Sequence, residues 1–109
     1  MAYNEELANR VRKVLPTYKG ITEKKMFGGI CFMVNGNMIC GVEQDNLVIR
    51  VGPDNYEEAL KKPHARPMDF TGRPLKGFVY VRPQGHKIKK ALISWVKRGF
   101  VYATSLKTK

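Results

Sequence analysis

Acidic residues are scarce in this sequence: nine Asp and Glu stand against twenty Lys and Arg in 109 residues, a formal net charge of +11. Cysteine is scarcer still, and Cys31 and Cys40 form no Cys-x-x-Cys pair. Two thiols are too few for a disulfide scaffold, so a reducing compartment is expected. There are two histidines, His64 and His86, each flanked by basic residues and read as ordinary loop or surface positions. A zinc site needs about four ligands at local spacings, and an activated nucleophile needs a base oriented by a third group. Neither pattern occurs, so no catalytic residue, metal ligand or cofactor-binding residue is assigned, and no cofactor is expected. No apolar run approaches the ~20 residues that span a bilayer, and the polar first ten residues do not look like a signal peptide. A soluble cytoplasmic protein without a membrane partner is expected.

The hydrophobic residues present, 43% of the chain, suffice for one core, and we read residues 1–109 as a single domain. The charge is unevenly spread. Residues 1–60 hold seven Lys and Arg against eight acids, while residues 61–109 hold thirteen against Asp69 alone. A one-sided excess of this size favours an anionic partner such as nucleic acid, an acidic protein surface or a phospholipid headgroup. The bland alternative is a basic surface that only keeps the protein soluble.

Asn4 is a fitting N-cap for a first helix: Glu5 and Glu6 follow it, Leu7, Ala8, Val11, Val14 and Leu15 recur at helical spacing, and Pro16 lies beyond. From Lys24 to Val51 the period changes to two and the residues become β-branched and aromatic. The turn signals Asn35-Gly36 and Gln44-Asp45-Asn46 divide that stretch into a three-stranded meander. Gly28-Gly29 would lie inside the first strand, as a bulge or a close backbone approach. Asp54 and Glu57 predict a capping box on a short helix running to about Lys62. Met68 to Phe70 and Leu75 to Arg82 read as two further strands around the turn Thr71 to Pro74.

After a loop at Pro83-Gln84-Gly85, a long amphipathic helix is expected over Lys87 to Leu106. Ile88, Leu92, Trp95, Val96, Gly99, Ala103 and Leu106 form its inward stripe. The order α-β-β-β-α-β-β-α suits a two-layer α+β fold, an antiparallel sheet covered by helices.

Several strings occur together: Met26-Phe27-Gly28-Gly29, Phe32-Met33-Val34-Asn35-Gly36, Arg50-Val51-Gly52, Ala65-Arg66-Pro67-Met68, Gly77-Phe78-Val79-Tyr80-Val81, and Tyr102-Ala103-x-Ser105-Leu106. Over nearly the whole chain this pattern resembles the N-terminal domain of the TfoX/Sxy family of bacterial competence regulators. The resemblance implies a two-layer α+β domain, a bacterial cytoplasmic setting and a role in transcriptional regulation of DNA-uptake genes. Regulators of that family that act in competence usually carry a second, helical domain, so this chain reads as a stand-alone copy of the first.

The leading expectation is a non-enzymatic regulatory or interaction module. A direct nucleic-acid-binding protein is the first alternative, and a small ligand-binding domain or enzyme the second. Lys89, Lys90, Lys97 and Arg98 on the last helix, with Arg66, Arg73, Lys76 and Arg82 around the final hairpin, are the residues expected to meet nucleic acid or another anion. Phe78 and Tyr80 could stack bases on an open sheet face, although such residues are more often buried.

The strand around Cys31 is apolar on both faces. Ile30, Phe32 and Val34 point one way and Cys31 and Met33 the other, from which a homodimer through the sheet is expected. If Asn35-Gly36 is a two-residue type I′ turn, Val34 faces Asn37, and an unbroken ladder sets Cys31 opposite Cys40 and Met33 opposite Met38. Buried thiols, a redox-sensitive disulfide and a soft-metal site are then the competing readings of the cysteines.

Overall fold

The computed structural model describes residues 3–15, 20–26, 28–67 and 76–106. They build α1 (Glu5–Val14), β1 (Ile21–Met26), β2 (Gly29–Val34), β3 (Asn37–Glu43), β4 (Asn46–Arg50), α2 (Tyr56–Leu60), β5 (Ala65–Pro67), β6 (Phe78–Val81), α3 (Pro83–His86) and α4 (Lys89–Ser105). The six strands form one antiparallel sheet in the order β1-β2-β3-β4-β6-β5. The fold is α+β, and the element order largely follows the sequence reading.

Local chemistry explains most of the elements. The Asn4 side chain accepts a hydrogen bond from the Leu7 amide at 3.0 Å, satisfying one of the free donors of the first turn of α1. Leu7, Ala8 and Val11 are buried along one stripe of that helix. Asn35 and Gly36 both have positive φ, as a type I′ turn requires, and Val34 faces Asn37. Ile30, Phe32, Val34, Val42, Leu47, Ile49, Val79 and Val81 point to the helix-covered face and form the core with Leu92, Trp95, Val96 and Ala103 of α4.

Several expectations are corrected. The meander has four strands, because β1 and β2 are separate strands of a hairpin and Gly28, with φ of 77°, belongs to the turn between them. The Asp54–Glu57 capping box is not formed: a short 3-10 turn at Pro53–Asn55 leads into α2, which has no side-chain cap. The final strand is shorter than expected, Phe78–Val81, and pairs with both β4 and β5. Pro83 starts a single helical turn, α3, where a loop was expected, since its fixed φ suits a first helical position. Ile88, assigned to the inward stripe, is the N-cap of α4 and is 68% exposed. The strand at Met68 to Phe70 and the turn at Thr71 to Pro74 lie outside the described residues.

The cysteine register is also corrected. Val34–Asn37 and Met33–Met38 pair as turn arithmetic demands, but a bulge follows, and Phe32 pairs with Cys40 while Cys31 pairs with Gly41. Ile39 is the extra residue, and both Ile39 and Cys40 are fully buried in the core. Its carbonyl lies against α4, so close that a Cβ on Gly99 would collide with the oxygen. The helix therefore crosses the sheet on bare backbone at Gly99, at the point where β3 bulges. Cys31 and Cys40 are free thiols on opposite faces of the sheet, a geometry that cannot be bridged without moving backbone.

Candidate anion-binding surface

Helix α4 carries the largest exposed cationic surface that the sequence reading named. Its inner stripe of Leu92, Trp95, Val96, Gly99 and Ala103 is buried, which leaves Lys89, Lys90 and Lys97 exposed on the other side. Two ion pairs are formed among the described residues, Arg12–Glu23 and Arg98–Glu58, each at 2.8 Å, and these three lysines take part in neither. Arg98 differs from them. Its guanidinium donates to the Glu58 carboxylate and lies 5.7 Å from the Trp95 ring centre, so its charge is already partly answered. The same bond holds the Glu58 carboxyl below its ordinary range.

Residues four apart on a helix are neighbours. Lys89, Ile93, Lys97 and Val101 therefore make one ridge of α4, and Lys90, Ser94, Arg98 and Tyr102 the next. A groove of about 460 Å3 lies beside the later part of these ridges, from Ser94 onward, with Val51 and Asn55 in one wall and Ser94, Lys97, Val101 and Tyr102 in the other. Its geometry is set by close packing. Gly52, with φ of 88°, lies flat against the Tyr102 ring, leaving no room for a Cβ. The Arg50 guanidinium sits 5.4 Å from the Tyr102 ring centre and 5.6 Å from that of Phe78, tying the end of α4 to the sheet.

The other named cations lie elsewhere. Arg66 on β5 and Arg82 just after β6 are exposed at the β5–β6 edge, and Lys76 is exposed before β6. Arg73 lies outside the described residues. The eight expected residues are therefore not one patch on one element: four share α4, and three of the remainder border the last two strands. Phe78 and Tyr80 are half-buried on the face opposite the core. The Tyr80 hydroxyl donates to the Glu43 carboxylate at 3.0 Å, and Phe78 lies under Arg50.

His64 is exposed as expected, but His86 is not. The His86 ring is buried where α3 meets the β3–β4 turn, and its Nε2 donates to the Asp45 carbonyl at 2.9 Å. That donor role makes Nδ1 an acceptor, and it is buried without a hydrogen-bond partner among the described residues. Arg10 donates to the carbonyls of His86 and Lys87, both at 3.0 Å. Burial first, and the nearby Arg10 charge, push the His86 pKa below its ordinary value. Cys31 and Cys40 thiols are pushed up by burial, so both stay protonated thiols. Among the described residues, no three His, Cys, Asp or Glu side chains lie together to hold a metal ion. No helix among them is long and apolar enough to cross a membrane.

The sequence reading passed over Ile93 and Val101, which fall off the inward stripe, and over the wall formed by Val51 and Asn55. Ile93 and Val101 were visible as apolar residues in helical register with Lys97. The wall was not, because it comes from a turn about forty residues upstream in the chain.

The model of the TfoX N-terminal domain matches residues 13–102. This chain belongs to that family. The match covers the whole described sheet and α4 as far as Tyr102, so Gly99 and all the groove-lining residues but Ser105 lie within it. No curated protein and no solved structure matches the chain.

Proposed function

We propose that this TfoX N-terminal domain is a non-enzymatic regulatory or interaction module of the cytoplasm, working by holding an anionic partner against the outer face of α4. Family membership supports a competence-regulator-like role. The observation that carries the reading is the set of exposed cations Lys89, Lys90 and Lys97, which have no carboxylate partner among the described residues. Clustered like charge raises the energy of the folded state by self-repulsion, and a partner of opposite sign relieves it. Desolvation explains why the lysines matter more than Arg98: a guanidinium already bound to Glu58 has less to gain from a second anion.

A triple charge reversal, Lys89→Glu with Lys90→Glu and Lys97→Glu, tests the reading. All three side chains are exposed, and acids in the first turn of α4 with less like-charge repulsion favour the fold, so the variant should unfold at or above the wild-type midpoint while material retained from native lysate falls at least tenfold. Wild-type retention should also weaken as salt rises. Equal retention by the variant would refute the reading. Nuclease treatment separates the two classes of anion, because direct nucleic-acid binding, favoured by the additional exposed cations Arg66, Lys76 and Arg82, would disappear with it.

A further inference from the structure

The outer face of α4 is not a plain cationic strip. On the ridge Lys89–Ile93–Lys97–Val101, cations alternate with β-branched apolar residues, one every helical turn, and Ile93 and Val101 are 41% and 56% exposed. Ile93 and Val101 stand about 12 Å apart along the axis at ~1.5 Å per residue. Beside Lys97 and Val101 the groove offers Val51 and the Tyr102 ring as apolar wall, with Asn55 and Ser94 as the polar edge. Both sides of this groove are fixed in advance. Gly99 seats α4 on the Ile39 carbonyl, and Gly52 seats the opposite wall on Tyr102, so little ordering remains for binding to impose.

A phosphate backbone would satisfy the lysines but leave Ile93 and Val101 against charged, hydrated oxygens. A partner matching both features must carry acids and apolar side chains in alternation at the same repeat of about one helical turn. An amphipathic helix meets that demand, with its own i, i+4 rows laid along the ridge. We infer that the exposed ridge of α4, with the groove beside Lys97 and Val101, seats an amphipathic helix of a protein partner, acidic where it faces Lys89 and Lys97 and apolar where it faces Ile93 and Val101. This rests on the anionic partner proposed above and specifies its kind. Apolar burial at Ile93 and Val101 supplies the holding energy. The lysines set register and sign, and the Glu58 carboxylate, already bound to Arg98, repels any acid placed too far toward α2.

A photo-reactive benzoylphenylalanine at Ser94, on the groove rim, tests the inference in the full chain expressed in the cells it comes from. After irradiation, mass spectrometry of the cross-linked digest should return a protein segment with acids and apolar residues alternating at four-residue spacing. In the same background, Lys97→Glu and the pair Ile93→Ser with Val101→Ser should each reduce the cross-linked species at least tenfold. Both sets change exposed side chains, and unchanged unfolding midpoints would confirm that the fold is intact. If Lys97→Glu removes the species and the serine pair does not, the anionic partner stands and the helix is overturned. A species indifferent to both overturns the anionic partner as well. A nucleic-acid adduct, a neutral or basic segment, or no cross-link also overturns the inference.

Discussion

His86 is kept neutral first by the burial around its ring and then by the positive Arg10 side chain bound to its own carbonyl, while the hydrogen bond that its Nε2 donates to the Asp45 carbonyl works in the opposite direction. Its pKa in the folded chain lies below the ordinary value of 6.5. The unfolded chain therefore binds the proton first as pH falls, and the unfolded state is favoured between that value and the lower folded one. Stability should be at its full value above pH ~6.5 and should decline as pH falls below it toward the lower folded-state value. His86→Gln, which can still donate to the Asp45 carbonyl but cannot take up the proton, should flatten that decline in urea unfolding. An unchanged slope would mean that other groups carry it.

The cysteines differ in a way that labelling can read. Cys40 is wholly buried in the core and Cys31 is 7% exposed on the opposite face. A thiol reagent applied to the native protein should modify Cys31 first and reach Cys40 only through unfolding, as mass analysis of the alkylated peptides would show. Mild oxidation should yield no intramolecular disulfide, because the two side chains face away from each other across the sheet.

Among the elements, α1 and α4 are secured by different means. Asn4 caps α1 through the Leu7 amide, and its backbone amide donates to the Gln44 carbonyl at 2.8 Å. Asn4→Ala removes the side-chain cap together with the exposed hydrogen bond that its Nδ2 donates to the Asp45 carboxylate, and should cost about 1 kcal/mol. The cap was legible because the capping side chain and the first turn are adjacent in sequence. α4 depends on Gly99, where two effects oppose one another. Alanine improves helix propensity by about 1 kcal/mol, whereas forcing a methyl against the Ile39 carbonyl costs about 3 kcal/mol. Gly99→Ala should therefore destabilise by about 2 kcal/mol in chemical unfolding, and a stabilised variant would show that the crossing can relax. The same contact explains the failure of the cysteine register. Turn arithmetic holds for two pairs beyond Asn35-Gly36 and breaks at Ile39, which is where α4 presses on β3.

For the whole molecule, charge separates surface that is internally balanced from surface that is not. The bidentate Arg12–Glu23 pair joins α1 to β1, yet both side chains are about 40% exposed, so Arg12→Ala should cost no more than about 1 kcal/mol. The three lysines of α4 carry no such partner among the described residues, and their removal should not lower stability but should be visible in binding. The Tyr80 hydroxyl on Glu43 and the Arg50 stack on Phe78 already engage the two aromatics on the open face of the sheet, which leaves α4 with the less committed surface.

Much of this protein was determined by short stretches of sequence: the Asn4 cap, the Asn35-Gly36 turn, the buried stripe of α4 and the crowding of cations into the second half. The cap and the turn depend on residues within a turn of one another, the stripe on periodicity along one helix and the charge on composition alone, so none needs a distant segment. The bulge at Ile39, the burial of His86, the capture of Arg98 by Glu58 and the groove beside Tyr102 were decided only by the tertiary structure. Each requires two segments about forty or more residues apart to meet, and a local pattern carries no term for what will be packed against it.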